Sequence, residues 1–183
     1  MVEKGMVYGR FQIMHMKHLE YILAAKMRCQ KLYIGITVPD AQYAPTDAGS
    51  NYRARKSANP MTYIERYEMI EGCMRDFKVD RNEYEIVPFP IDRPAYIDQY
   101  IPKDAVIFMS ICDEWTQKNE KLFEYWGLNT EILWRKDPQD KGISGTEIRQ
   151  RILAGEKWND LVPRTVYNYV INHGIDNRIR FTK

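Results

Sequence analysis

Apolar spacing along the chain switches between short buried runs and helical periods, and those switches mark out the elements. Lys4 to Tyr8 reads as a first strand and Lys17 to Cys29 as a helix, followed at once by a second strand, Lys31 to Thr37. Strand, helix, strand with short joints is a parallel crossover unit, so the first two strands should be neighbours. Val38 to Met61 is long and irregular, with Pro39, Pro45, Gly49 and Pro60 and a basic cluster at Arg53, Arg55 and Lys56. A loop of that length is either functional or a solvated surface. Thr62 and Glu65 have capping-box spacing and should open a helix to Asp76, with Ile64, Tyr67, Met69, Ile70 and Met74 on its inner face.

The second half repeats the alternation. Strands are predicted over Tyr84 to Phe89, Ala105 to Ile111 and Thr130 to Trp134. A short helix fits Pro94 to Tyr100, and a longer one Trp115 to Trp126, ended by Gly127. Ser144 and Glu147 form a second capping-box pattern for a helix ending near Gly155, and a last helix runs from Pro163 to Asn172, closed by Gly174. Asp176 to Lys183 carries no readable pattern. The sum is an α/β chain: a Rossmann-like, five-stranded, mostly parallel sheet with helices on both faces, in one domain over residues 1–183 with a C-terminal helical portion from about 144. Ligands in such sheets bind beyond the carboxyl ends of the strands.

Composition narrows the classes. With 183 residues, 44% hydrophobic and 28% charged, the chain is long enough for a full core and ordinary in balance. A net charge of +2 does not argue for nucleic acid as a partner. Three scattered cysteines without a CxxC pair fit small buried residues in a reducing compartment. No secretory leader or run of membrane-spanning length is legible, so a cytoplasmic location and no membrane partner are expected.

The candidate chemistry gathers at two turns. After the first strand come Gly9, Arg10, Phe11 and Gln12, then His15 and His18 at the start of the first helix. A helix N-terminus leaves backbone N–H groups without partners and favours anions, and residues three apart share a face. Two histidines alone fall short of a closed zinc site, and the third, His173, is remote in sequence, so no metal ligands are expected. The second turn, Ile143 to Arg149, brings hydroxyls at Ser144 and Thr146 and a small residue at Gly145 that would let a ligand approach. Arg149 could grip a phosphate bidentately. Each motif alone also fits a plain helix cap.

Together the two motifs resemble the HxGH and ISSTxxR signatures of the nucleotidylyltransferase superfamily, closest to the archaeal-type nicotinamide-mononucleotide (NMN) adenylyltransferases. The likeness extends to Asn59-Pro60-Met61-Thr62 with Glu65-Arg66, to Val87-Pro88-Phe89-Pro90-Ile91 and to Leu161-Val162-Pro163. It implies an enzyme that moves an adenylyl group from ATP to a phosphate monoester, NMN first, forming NAD and releasing pyrophosphate. In that reading His15, His18, Arg10 and Arg149 serve catalysis, while Gly9, Phe11, Lys17, Ser144, Gly145, Thr146, Asp113 and Trp115 bind substrates. Mg²⁺ is carried mainly by the nucleotide phosphates, and a homo-oligomer is left open.

The chain departs from the pattern at four places. Lys17 stands where the family has glycine, Ile13-Met14 replaces Pro-Phe, and Ala58 replaces an arginine. Ser110-Ile111-Cys112-Asp113 replaces a Ser-Gly-Asn segment that helps hold the acceptor in the family. Phosphate-facing positions are thus largely kept and acceptor-facing positions are not. The alternatives are a cytidylyl- or adenylyltransferase acting on another phosphate or phosphonate, and a nucleotide-binding regulatory module without turnover.

Overall fold

The computed structural model describes residues 1–38, 56–140 and 142–181. Its sheet contains β1 (Val2–Gly9), β2 (Cys29–Thr37), β3 (Tyr84–Phe89), β4 (Val106–Ile111) and β5 (Thr130–Arg135). The order is β3-β2-β1-β4-β5, and every pairing is parallel. The chain therefore winds outward from β1 in both directions, which makes the β1–β4 boundary the topological switch point.

Alternation along the strands feeds two cores. Val7 of β1 and Phe108 of β4 face one core, shared with α1 (Met16–Lys26), α2 (Tyr63–Asp76), α4 (Gly145–Ala154), α5 (Arg164–Asn172) and α6 (Ile175–Phe181). Met6, Tyr8, Ile107 and Met109 face the other, covered by Phe123 of α3 (Glu114–Tyr125) and by the 3₁₀ segment Pro94–Gln99.

Three expectations differ in the structure. Ile64 is 56% exposed, because the buried stripe of α2 runs through Arg66, Met69, Ile70, Cys73 and Met74 instead. Ser144 does accept from the Glu147 N–H at 3.2 Å, but the Glu147 carboxylate turns to Arg151 at 2.8 Å, so the second capping box is half formed. The unassigned tail contains α6, which buries Ile175 and Ile179. Its Arg178 grips the carboxylate of Glu65 with bonds of 2.7 and 2.8 Å at the start of α2. Arg53 and Arg55 of the basic cluster lie outside the described residues.

Arg66 organises the rim above the sheet. It is 0% exposed, a rare state for an arginine. Nη1 donates to the carbonyls of Arg10 and Thr37 (3.1 and 2.8 Å), Nη2 to that of Val38 (2.9 Å), and Nε to that of Thr62 (3.1 Å). One planar guanidinium thereby fastens the carboxyl ends of β1 and β2 to the start of α2. Burial is the main force on its pKa, lowering it to about 10, with the neighbouring Arg10 charge acting the same way. The group stays cationic at neutral pH.

Candidate active site

One cavity opens at the switch point. Its walls come from the end of β1 and the turn after it (Tyr8 to Gln12), the start of α1, the end of β4 with the start of α3, the end of β5, and residues 143–146. Of the residues singled out in the sequence, Gly9, Arg10, Phe11, His15, Lys17, His18, Asp113, Trp115, Ser144, Gly145 and Thr146 line it. Arg149 does not.

His15 and His18 hold each other. His15 is the N-cap of α1 and His18 its third helical residue. The His18 N–H donates to His15 Nδ1, and the His15 N–H donates to His18 Nδ1, both at 3.3 Å. This is the capping-box reciprocity, built here from imidazoles. The rings stack with centroids 3.7 Å apart. A neutral imidazole that accepts at Nδ1 carries its proton on Nε2. The cap therefore fixes the tautomer of both rings, and the His18 ring, which lines the cavity, keeps its proton on Nε2. Burial, assisted by the charges of His15 and Arg10, pushes the His18 pKa well below the ordinary imidazole range. His18 is neutral in the empty site.

A bound polyanion favours the charged ring, but a second proton on His18 would occupy Nδ1, the atom that accepts from the His15 N–H, and would break the cap. Burial and the cap together therefore hold His18 neutral. Calorimetry of nucleotide binding at pH 8, in buffers of different ionisation enthalpy, should show no net proton uptake; uptake would mean that the cap opens on binding.

The late motif packs directly on the first turn. A Cβ built on Gly145 would lie 2.7 Å from the Gln12 carbonyl oxygen and 3.1 Å from its carbon. The smallness of this residue thus serves the Gln12 backbone, whereas the sequence suggested room for a ligand. Arg149 also differs from expectation. It is 4% exposed, and its guanidinium donates to the Gln12 carbonyl and, at 3.2 Å, to Thr146 Oγ1. It therefore braces the turn from below. Gln12 is clamped on its other side, where its amide exchanges two 2.9 Å hydrogen bonds with the Met61 backbone. Gly145→Ala should push the turn off α4 and lower turnover by about tenfold or more, since misplacing reactive groups by about 1 Å is that costly. Steady-state kinetics on the variant, with its melting temperature beside them, check this.

The hydroxyls follow the same rule as the histidines. Ser144 Oγ accepts from the Glu147 N–H and Thr146 Oγ1 accepts from Arg149, which leaves each O–H proton to donate outward. The lining carboxylates are already engaged. Asp113 caps α3, accepting from the Thr116 N–H at 2.9 Å, and Glu20 accepts from Lys17 Nζ at 2.6 Å. The rest of the polar lining is donors and cationic groups, Arg10, Lys17 and Lys136 among them, and that set suits an anion.

The opposite wall is mixed. Trp115 is half-buried, 6.3 Å centroid to centroid from Tyr8, and faces both the core and the cavity. Phe11 is fully buried; its ring lies against Gly9 and 4.9 Å from His18, so it supports the histidine. Ser110 and Cys112, part of the acceptor-facing segment singled out in the sequence, line the cavity, whereas sequence reasoning missed Tyr8, Glu20, Tyr21, Thr116, Trp134 and Lys136, which line it too. Their signal was positional: most sit at strand ends or three residues beyond Lys17 and His18 on α1.

A family model described as cytidylyltransferase-like matches residues 6–151, which run from β1 through both motifs. The chain belongs to the cytidylyltransferase-like family. Among the relatives of this cytidylyltransferase-like chain, a phosphonoformate cytidylyltransferase of Streptomyces viridochromogenes is 40% identical over 96% of the chain and 95% of that enzyme. A nicotinamide-nucleotide adenylyltransferase of Saccharolobus solfataricus is 28% identical over 98% of the chain and 96% of that enzyme. In fold, it resembles a bifunctional NMN adenylyltransferase/ADP ribose pyrophosphatase of Francisella tularensis, with a TM-score of 0.72 and 16% identity. That match covers 98% of the chain, which spans 52% of the bifunctional protein. The chain is a nucleotidyltransferase. Among the described residues no helix is long and apolar enough to cross a membrane.

Proposed function

We propose that the chain, read as one nucleotidylyltransferase domain, joins CTP to a small phosphonate or phosphate monoester, releasing pyrophosphate. The observation that supports the transfer is the lining itself: imidazole, hydroxyl and ammonium groups share one cavity. An oxygen of the acceptor attacks the α-phosphorus of the nucleotide, and the bond to the bridging oxygen of pyrophosphate breaks. The Nε2–H groups of His15 and His18 donate to the phosphate oxygens on which charge grows. Ser144 and Thr146 donate from the start of α4, and Arg10 lies at the turn between them. Arg149 and Gly145 hold that turn in register. Catalysis in this reading is positioning and charge stabilisation, with no covalent protein intermediate.

Two features support CTP and a small acceptor. The 40% identity with a phosphonoformate cytidylyltransferase spans nearly all of both chains, and the Ser110–Asp113 segment departs from the NMN-type pattern. The adenylyl reading, ATP with NMN, rests on the 28% identical relative and on Trp115, an aromatic surface in the cavity on which a pyridine ring could stack. Magnesium fits as an ion carried by phosphate oxygens and water. Asp113 and Glu20, the carboxylates of the cavity, face Thr116 and Lys17, and no cluster of three acidic, His or Cys groups gathers among the described residues. Such an ion would neutralise charge on the polyphosphate.

Incubation with CTP or ATP and either phosphonoformate or NMN, read by pyrophosphate release and product mass, separates the two. A cytidylylated phosphonate is expected. NAD from ATP and NMN would favour the second reading, and no release from any pair would overturn both.

A further inference from the structure

Lys17 occupies the site in a way the family pattern does not foresee. It lies between His15 and His18 on the first turn of α1. A Cβ built on Gly142 would be 3.5 Å from Lys17 Cε, so the lysine stem reaches toward the segment that leads into Ser144. Its ammonium is held by Glu20 Oε2 at 2.6 Å, one turn further along the helix. Lys136, at the end of β5, sets its Nζ 5.2 Å from the Trp134 ring centroid. Lys17, Glu20 and Lys136 all line the cavity.

We propose that Glu20 is a counter-ion exchanged on substrate binding: an incoming polyphosphate takes Lys17 from it, and Lys17 becomes a further phosphate-binding residue. The inference rests on the nucleotide-triphosphate reading above. Lys17 and Glu20 are 41% and 47% exposed, and an ion pair that open to water is weak, so separating it costs little. A phosphate oxygen offers the ammonium a charge-assisted bond in a more enclosed place. A lysine has the stem for the movement, being a point charge on four rotatable carbons. Glu20 is not stranded by the exchange. Its carboxyl is held below the usual range chiefly by the Lys17 hydrogen bond, against the opposing effect of burial, and Lys136 adds to that hold. A plain surface ion pair would have no reason to share a cavity with the histidine cap, nor to draw on a second cation from another strand.

The two roles predict effects of opposite sign. Binding of CTP, and of inorganic tripolyphosphate as a probe without a base, is measured by calorimetry on wild type, Lys17→Ala and Glu20→Gln, with melting temperatures alongside. Lys17→Ala should weaken both ligands about tenfold. Glu20→Gln, which frees the ammonium and removes a repelling carboxylate, should tighten both about threefold, while cytidine binding stays unchanged in each variant. Unchanged or tighter binding by Lys17→Ala, or weaker binding by Glu20→Gln, would overturn the exchange and leave the transferase reading intact. Wild-type protein that binds neither CTP nor ATP would overturn both.

Discussion

Arg66→Ala should lower the free energy of unfolding by about 3–5 kcal/mol, since each buried acceptor left unsatisfied costs about 1–3 kcal/mol and the lost side chain leaves a void. The guanidinium donates to four backbone carbonyls, those of Arg10, Thr37, Val38 and Thr62. Alanine would leave those acceptors short of a donor in a dry place and open a void beside them. For a chain of this size the loss corresponds to a fall in melting temperature of roughly 6–20 °C. Arg66→Lys should recover only part of it, because an ammonium cannot span four carbonyls with the geometry of a planar fork. Urea unfolding of the three proteins measures the difference. A loss within about 1 kcal/mol of wild type, the net value of one ordinary hydrogen bond, would mean that the rim is held by other contacts.

His18→Ala should reduce kcat by about two orders of magnitude, the usual cost of one preorganised donor to a developing anion. The substitution removes an Nε2–H donor and half of the reciprocal cap, and the second loss has its own signature. A lost N-cap partner costs about 1 kcal/mol of stability, far less than the expected change in the barrier. Turnover and melting temperature measured together therefore separate chemistry from scaffold. Unchanged turnover would remove His18 from the mechanism.

Much of this architecture was legible because local signals and tertiary structure agree. Tyr84 to Phe89 forms a strand with the expected bounds, and Thr62 and Glu65 cap α2 reciprocally as their spacing suggests. The two signature motifs could be singled out because helix starts and hydroxyls have fixed chemistry, and the structure brings both to one cavity. What escaped has a common cause. Arg66 looks like a surface charge until carbonyls from two strand ends converge on it, and that convergence exists only in three dimensions. Arg149 was expected at a ligand; the structure shows its guanidinium donating to the carbonyl of Gln12, a partner that sequence spacing does not reveal. The imidazole cap was hidden because histidine is an unusual capping residue, although His15 and His18 have the right spacing for it. The α6 helix was too short and polar for periodicity to show, and only Ile175 and Ile179 hint at a buried face.

β1 is the innermost strand, with β2 on one flank and β4 on the other. The turn that carries Arg10 and leads to His15 is thus rooted in the part of the sheet least able to breathe, and it cannot fray as an edge would. Whatever yields to admit and release substrates must be sought in the remaining boundaries of the cleft. In the proposed reaction that turn is the anvil of the site, anchored in the middle of the sheet.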